Sequence, residues 1–432
     1  MVRMEDVNSS SESAGWRERF GASKTGTLLA NTGFRRLYFA RIVNRVGDKL
    51  YSIASMWLVY QLTGSTFYTG LAGFLSRLPV VFGFLFGPIV DRSRISRLLV
   101  LVAAAQAVVV LSIPLVASVH TPSVTLVLAV VGVLALLERI NAPAEKAALP
   151  RLVDDELLPR ANSLDSATHQ TIGAVAQALS GALIALFSAV ALFAFDAATF
   201  VVGAVFFALL NVPTTEKTGT SPSAAEYVAD IREGCDLIRN SVVGHMVIAA
   251  SLVSAFTGAS TAVLPAFADS LGGAETYGLL IAAMTVGLLV GSLVASRFET
   301  VPFGRFVVVG FLVAAVGKLG VVSVDWLPAA LLCYGIATIP IGIYNVLVSA
   351  TIQTGVPNDL LARVSSTIGS LVAAIGPLGY LVGGFLGDAY GSATVIGLSA
   401  VGYCLLVGYW LVVPSLRAFP PVTDIESNSF GV

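Results

Sequence analysis

The sequence predicts an all-α membrane protein with twelve transmembrane helices in two pseudo-symmetric halves of six. Three observations carry this. Of the 432 residues, 56% are hydrophobic and only 12% are charged, whereas a soluble domain is about 25% charged. Twelve apolar stretches approach the roughly 20 residues a helix needs to cross a bilayer. The loops between them alternate: every loop on one side carries Lys or Arg, and no loop on the other does. Cytosolic loops retain these residues and translocated loops shed them.

Residues 1–36 read as a disordered, Ser-rich cytosolic tail with no apolar signal segment. The first half, 37–212, holds spans at Leu37–Leu62, Phe67–Val90, Leu98–Val119, Val124–Leu149, Ala161–Phe187 and Val190–Val212. Residues 213–241 form a polar connection. It opens as a Pro/Ser/Thr/Gly linker and ends in an amphipathic helix, with Val228, Ile231, Cys235 and Ile238 at helical spacing. The second half, 242–413, holds spans at Val242–Ala268, Tyr277–Phe298, Phe306–Val322, Leu327–Thr351, Val364–Leu386 and Thr394–Val413, and 414–432 is a second tail. Inner loops carry Arg92, Arg94, Arg97, Arg151, Arg160, Lys217, Arg297, Arg305 and Arg363. Outer loops carry His120, Asp269, Glu275, Asp325 and Asp388. Both termini are therefore expected in the cytosol, and the protein in the plasma membrane.

A net charge of −1 offers nucleic acid no attraction. The three cysteines and three histidines are scattered, so neither a disulfide framework nor a metal site is expected. No G-x-x-x-x-G-K-S/T phosphate loop occurs, which argues against ATP as the energy source. No cofactor is expected.

The halves echo each other. Tyr68-Thr69-Gly70-Leu71 is matched by Thr276-Tyr277-Gly278-Leu279, and at the same offset Gly83 meets Gly291, Asp91 meets Glu299 and Arg97 meets Arg305. At a slightly different offset Glu156-Leu157-Leu158-Pro159-Arg160 is matched by Asp359-Leu360-Leu361-Ala362-Arg363, continuing to Gly173 with Gly376 and Gly181 with Gly384. Parallel repeats of this kind build alternating-access transporters, whose substrate site lies at the midplane where the halves meet.

The loop after span two reads Gly87-Pro88-Ile89-Val90-Asp91-Arg92-Ser93-Arg94-Ile95-Ser96-Arg97. It resembles the G-x-x-x-D-R/K-x-G-R-R/K loop of the major facilitator superfamily: Gly87, Asp91 and Arg92 match, Arg94 replaces the second Gly, and the trailing basic residue falls at Arg97. Further stretches resemble the drug-exporter branch that includes macrolide efflux and enterobactin export proteins. They are Phe34-Arg35-Arg36-Leu37 with Val46-Gly47-Asp48, Leu149-Pro150 through Arg160-Ala161-Asn162-Ser163, and Phe195-Asp196-Ala197. The branch's antiporter motif in span five, G-P-x-x-G-G, is degenerate, with Ala176-Gln177 and Ser180-Gly181 at its positions. Physically, Asp91 is a carboxylate at a helix end among Arg92, Arg94 and Arg97. It could latch one conformation through arginine or a neighbouring helix N-terminus, or it could be a solvated loop residue.

Ionised side chains inside the bilayer are costly and usually face a cavity or a partner. Span one is richest, with Arg41, Asn44, Arg45, Asp48 and Lys49. Asn44 and Arg45 share a helix face with Asp48, which lies near midplane. Glu138 and Arg139 in span four point about 100° apart and so are expected to serve different partners. Arg77, Asp196 and Lys318 complete the set, Asp196 being read as a helix-bonding residue. The proton-coupling candidates are Asp48, Glu138, Arg139 and Arg45; the alternative is that these charges only fix helix packing. The resemblance implies that spans seven and ten line the cavity, which makes Thr257, Thr261, Tyr334, Thr338, Tyr344 and Asn345 the substrate-facing candidates.

The expectation is a monomeric, proton-coupled transporter exporting lipophilic or amphipathic small molecules, with protons, substrate and bilayer lipid as its partners. An importer of a polar nutrient or a lysophospholipid flippase of the same superfamily are the alternatives.

Overall fold

The computed structural model describes residues 24–80, 86, 90, 93–213, 232–233, 235–236, 238 and 241–426. Among them all regular structure is helical, as a bilayer demands, since only internal hydrogen bonds can satisfy a backbone that water cannot reach. Nine helices among the described residues are long and apolar enough to cross a membrane.

Helix α1 runs Thr32–Thr63. Asn31 starts it by accepting from the Phe34 amide at 3.0 Å, and Gly64, with φ 63°, stops it by returning its N–H to Tyr60. At 32 residues it is long enough to span, although Arg41, Arg45, Asp48 and Lys49 make half of it polar. Helix α2 is Thr66–Arg77, α3 Ile95–Ala117 and α4 Val124–Ala148, capped by Ser123. Leu158–Ala208 is one helical run broken at Ser188, which has φ 66° and ψ 156°. Its hydroxyl accepts from the Ala191 amide at 3.3 Å, so a serine cap restarts the helix. The part before Ser188 is α5 and the part after it α6. Then follow α7 Val242–Leu271, α8 Ala274–Val294, α9 Phe303–Ser323, α10 Leu327–Gly355, α11 Asn358–Tyr390 and α12 Ser392–Val412.

The contacts repeat as the sequence does. Helix α1 packs on Leu158–Ala208 as α7 packs on α11, and α8 packs on α10 as α2 packs on α4. Across the two sequence halves, α2 meets α11 and α8 meets Leu158–Ala208. Those two junctions exchange under the repeat, because α2 corresponds to α8 and α5 to α11.

Both ends of the chain hold more structure than hydropathy suggests. The first tail was expected to reach residue 36. Instead the chain is helical from Lys24 to Ala30 and again from Thr32, and Leu28 is buried. Arg35 and Arg36 lower the hydropathy there without breaking the helix, and Asn31 also donates to the Leu152 carbonyl at 2.7 Å. In the second tail Pro414–Arg417 forms a short helix, and Phe419 and Ile425 are buried in the core of the second half. The Phe303 amide donates to the Pro420 carbonyl at 3.2 Å. The predicted amphipathic helix is seen only at residues 232–233, 235–236 and 238, which are helical; Val228 and Ile231 lie outside the described residues.

Candidate functional site

One end of the molecule is sealed between the sequence halves. Asp388, near the end of α11, sits on the N-terminus of α2. It accepts from the Thr66 amide at 2.6 Å, from the Thr66 hydroxyl at 2.8 Å and from the Ser65 hydroxyl at 2.5 Å. A carboxylate at a helix N-terminus gains from both the unpaired amides and the dipole. The Thr66 proton can turn instead to the Gly384 carbonyl, also 2.8 Å away, and the Thr69 hydroxyl reaches the Ala262 carbonyl at 2.6 Å. Gly70 lies against the Tyr380 carbonyl and the Gly384 backbone, with no room for a side chain. Trp57 of α1 stacks on Tyr277 of α8 at 5.4 Å between ring centres. Deeper still, the Arg77 guanidinium lies 5.0 Å over the Tyr380 ring.

Away from this layer, toward the ends where α5 begins and α8 and α10 finish, lies a cavity of about 640 Å³. The first half contributes Lys49 of α1 and His169 and Gln170 of α5. The second contributes Ser292 of α8 and Asn345 and Gln353 of α10, with Leu288, Leu289 and Val346 between them. The wall thus pairs an ammonium and an imidazole on one side with amides, hydroxyls and aliphatic surface on the other. That combination can hold an amphipathic molecule: the aliphatic patches gain from burial, and the polar groups orient it.

Behind Lys49 runs an ion network. The Arg45 guanidinium holds the Asp165 carboxylate of α5 with two bonds of 2.9 and 3.0 Å. Arg41, only 4% exposed, lies 3.0 Å from Glu145 of α4 and 3.4 Å from Asp165. Asn141 donates to Glu145 at 3.1 Å. Arg45 turns to Asp165 rather than to Asp48. The two residues do share a helix face, but a bidentate carboxylate on α5 offers the guanidinium a better geometry. Glu145 and Asp165 fall inside the predicted fourth and fifth spans, so the rule that singles out Asp48 applies to both. Glu138 and Arg139 also differ from expectation. They meet each other at 3.4 Å, with Glu138 53% exposed. Flexible side chains close the angle between neighbouring helix positions when no better partner is in reach.

Asp48 is half-buried on α1, beside Lys49 of the cavity wall. Among the substrate-facing candidates, Asn345 lines the cavity. Thr338 is buried, its hydroxyl within reach of the Gly335 carbonyl at 2.9 Å or the Met284 carbonyl at 3.1 Å, where α10 packs on α8. Tyr344 is buried between the Phe303 and Phe311 rings. Tyr334 is buried beneath the Lys318 ammonium, 4.1 Å from its ring centre, and no carboxylate among the described residues pairs with that lysine. Thr257 and Thr261 are half-buried, the Thr261 hydroxyl donating to the Thr257 carbonyl at 2.7 Å. Of the loop motif, Arg94 precedes α3 and Arg97 sits in its first turn; Gly87, Asp91 and Arg92 lie outside the described residues.

The comparison with known proteins agrees with this architecture. Residues 24–429 match the family described as transmembrane secretion effector. The chain belongs to that family, in the drug-exporter branch of the major facilitator superfamily. The chain is similar to the multidrug efflux pump Tap of Mycolicibacterium fortuitum, 25% identical over 91% of this chain and 97% of that protein. The enterobactin exporter EntS of Salmonella typhimurium is 25% identical over 92% of this chain and 97% of its own length. Among solved structures, an inward-facing, occupied bacterial homologue of the human lysosomal transporter Spinster superposes with a TM-score of 0.66 at 15% identity, covering 89% of this chain and 96% of that one. The family member described here is thus a multi-pass membrane transporter and not an enzyme.

Proposed function

We propose that this protein is a proton-driven exporter of lipophilic or amphipathic small molecules. It works by alternating access between two six-helix bundles, 37–212 and 242–413, joined by the linker 213–241. The observation that carries this reading is the pairing of one sealed end with a cavity beyond it, both built at the junction of the two sequence halves. That is one of the two states an alternating-access cycle needs. The curated relatives are named as multidrug and enterobactin exporters, which supports export as the direction. The cavity, with its aliphatic patches and single ammonium, supports an amphipathic cargo. Each molecule works as a monomer, since the cavity is complete within one chain.

Asp48 is the proposed proton carrier, with Glu138 as its alternative. It is half-buried on α1, and its sequence neighbour Lys49 lines the cavity wall. The decisive experiment uses vesicles with a pH gradient as the sole energy source and a panel of dyes, antibiotics and siderophores. Asp48→Asn is expected to reduce accumulation to the passive level while downhill movement persists. Uphill transport at the wild-type rate would reassign Asp48 to structure and move the test to Glu138→Gln.

The orientation follows from the Lys/Arg asymmetry, with both termini in the cytosol of a plasma-membrane protein and the Asp388 seal on the outside. Single cysteines at Ser65, Gly273 and Ser392, in a cysteine-free background, are expected to react with an impermeant thiol reagent on intact cells. Those at Ser93, Ser221 and Asn358 are expected to stay protected. Labelling at Ser93 from outside reverses the topology.

A further inference from the structure

The seam between α1 and α6 holds a buried acid, Asp196. Asn44 packs on Gly203, Gly47 on Thr199 and Asp196, and Tyr51 edge-on against Phe193 at 5.5 Å. Asp196 is 0% exposed. Among the described residues no cation pairs with it, and its Oδ2 has no hydrogen-bond partner. Its Oδ1 lies 3.3 Å from the Thr199 hydroxyl, but that hydroxyl already reaches the Asp196 carbonyl at 2.7 Å. A hydroxyl has one proton to give. With it on the carbonyl, the 3.3 Å contact is completed by a proton on the carboxyl. An isolated ionised carboxylate would be far costlier here than a neutral acid.

The acid lies against Gly47, one residue before Asp48. The charged groups acting on Asp48 are Asp196 itself, Lys49 on α1, and Glu138 and Glu145 on α4. The Tyr51 phenol lies within electrostatic reach of both acids. Helix α3, packed on Leu158–Ala208, carries no titratable side chain except Arg97 in its first turn. Asp48 keeps part of its surface and the next residue, Lys49, lines the cavity, whereas Asp196 keeps none. We propose that Asp196 is the occluded seat of the coupling proton and that Asp48 is the group through which this proton enters and leaves. The proton passes from the medium to the Asp48 carboxylate, then to the Asp196 carboxylate, and Asp48 is left ionised beside Lys49. This rests on the reading of Asp48 as the proton carrier.

Infrared spectroscopy of the purified, ligand-free protein tests it. The wild type is expected to show a protonated-carboxyl C=O band shielded from solvent. Asp196→Asn, close in shape to the neutral acid, is expected to remove the band. Asp48→Asn is expected to keep it but slow its deuterium exchange about tenfold or more, which is what raising the transfer barrier by one decade means. Thr199→Val, which removes only the hydroxyl partner, is expected to shift its frequency and serves if Asp196→Asn does not fold. An unchanged band in Asp196→Asn or Thr199→Val overturns the assignment of the seat. Wild-type exchange in Asp48→Asn overturns the route. The driven-transport assay on Asp48→Asn stands apart: if uphill transport survives there while the band behaves as described, the carrier reading fails and the buried acid remains.

Discussion

Replacing Gly70 with valine is expected to hold the Asp388 end of the protein open and stop the transport cycle. A side chain at Gly70 meets the Tyr380 carbonyl at once and the Gly384 Cα at 3.0 Å. Both obstacles are backbone, so neither can swing aside, and α2 must move away from α11. Overpacking costs about 1–3 kcal/mol. The upper figure shifts a two-state equilibrium roughly 100-fold. The substitution touches a contact between the sequence halves and not the packing of α2 on α1 or α4, so insertion and folding are expected to survive. Spin labels at Gln61 and Tyr390 would report a longer separation, and turnover would fall to background. Gly132→Val is the control, because a side chain there meets nothing within 4 Å. Unaltered distances with normal turnover would mean that the seal is not a moving part.

Glu145→Leu is expected to cost about 3–5 kcal/mol of stability, the usual penalty for stranding one partner of a buried ion pair. Arg41 is the stranded group. It is 4% exposed and would be left with only Asp165 at 3.4 Å, an acid already committed to Arg45. The double variant Arg41→Met/Glu145→Leu replaces the pair by apolar side chains of similar size and is expected to recover most of the loss. Unfolding curves of the purified protein for both single variants and the double give the coupling energy directly. Additive losses in the double variant would show that the network contributes nothing as a unit.

Much of the helical plan was legible in the sequence because hydropathy and length are properties of single segments. The restart near Ser188, the early stop at Gly64 and the correspondence of α2 with α8 all follow from local pattern and repeat. What could not be read is which way each charged side chain turns. Arg45 and Asp48 share a face on α1, yet the partner of Arg45 lies on α5, and only the packed neighbours decide that. Tyr334 and Tyr344 were expected at the cavity. Their helix, α10, does carry a polar stripe, Asn345, Ser349 and Gln353 four residues apart, and that stripe lines the wall while neither tyrosine belongs to it. Asn345, one residue beyond Tyr344, turns the other way and lines the wall. Asp388 read as a loop charge, because its role as a cap depends on a helix from the other half of the chain.

That cap also says how firmly the end is shut. The bonds from Ser65 and Thr66 to Asp388 are made to groups that water can serve almost as well, since Asp388 and Ser65 both keep exposed surface. Exchanging one such bond for a water bond costs only about 0.5–3 kcal/mol. The glycine crossings beneath add close approach without long side chains to disentangle. The seal therefore behaves as a magnetic catch and not a deadbolt. It aligns the closed state and costs little to release, leaving the cargo and the proton to decide when it parts.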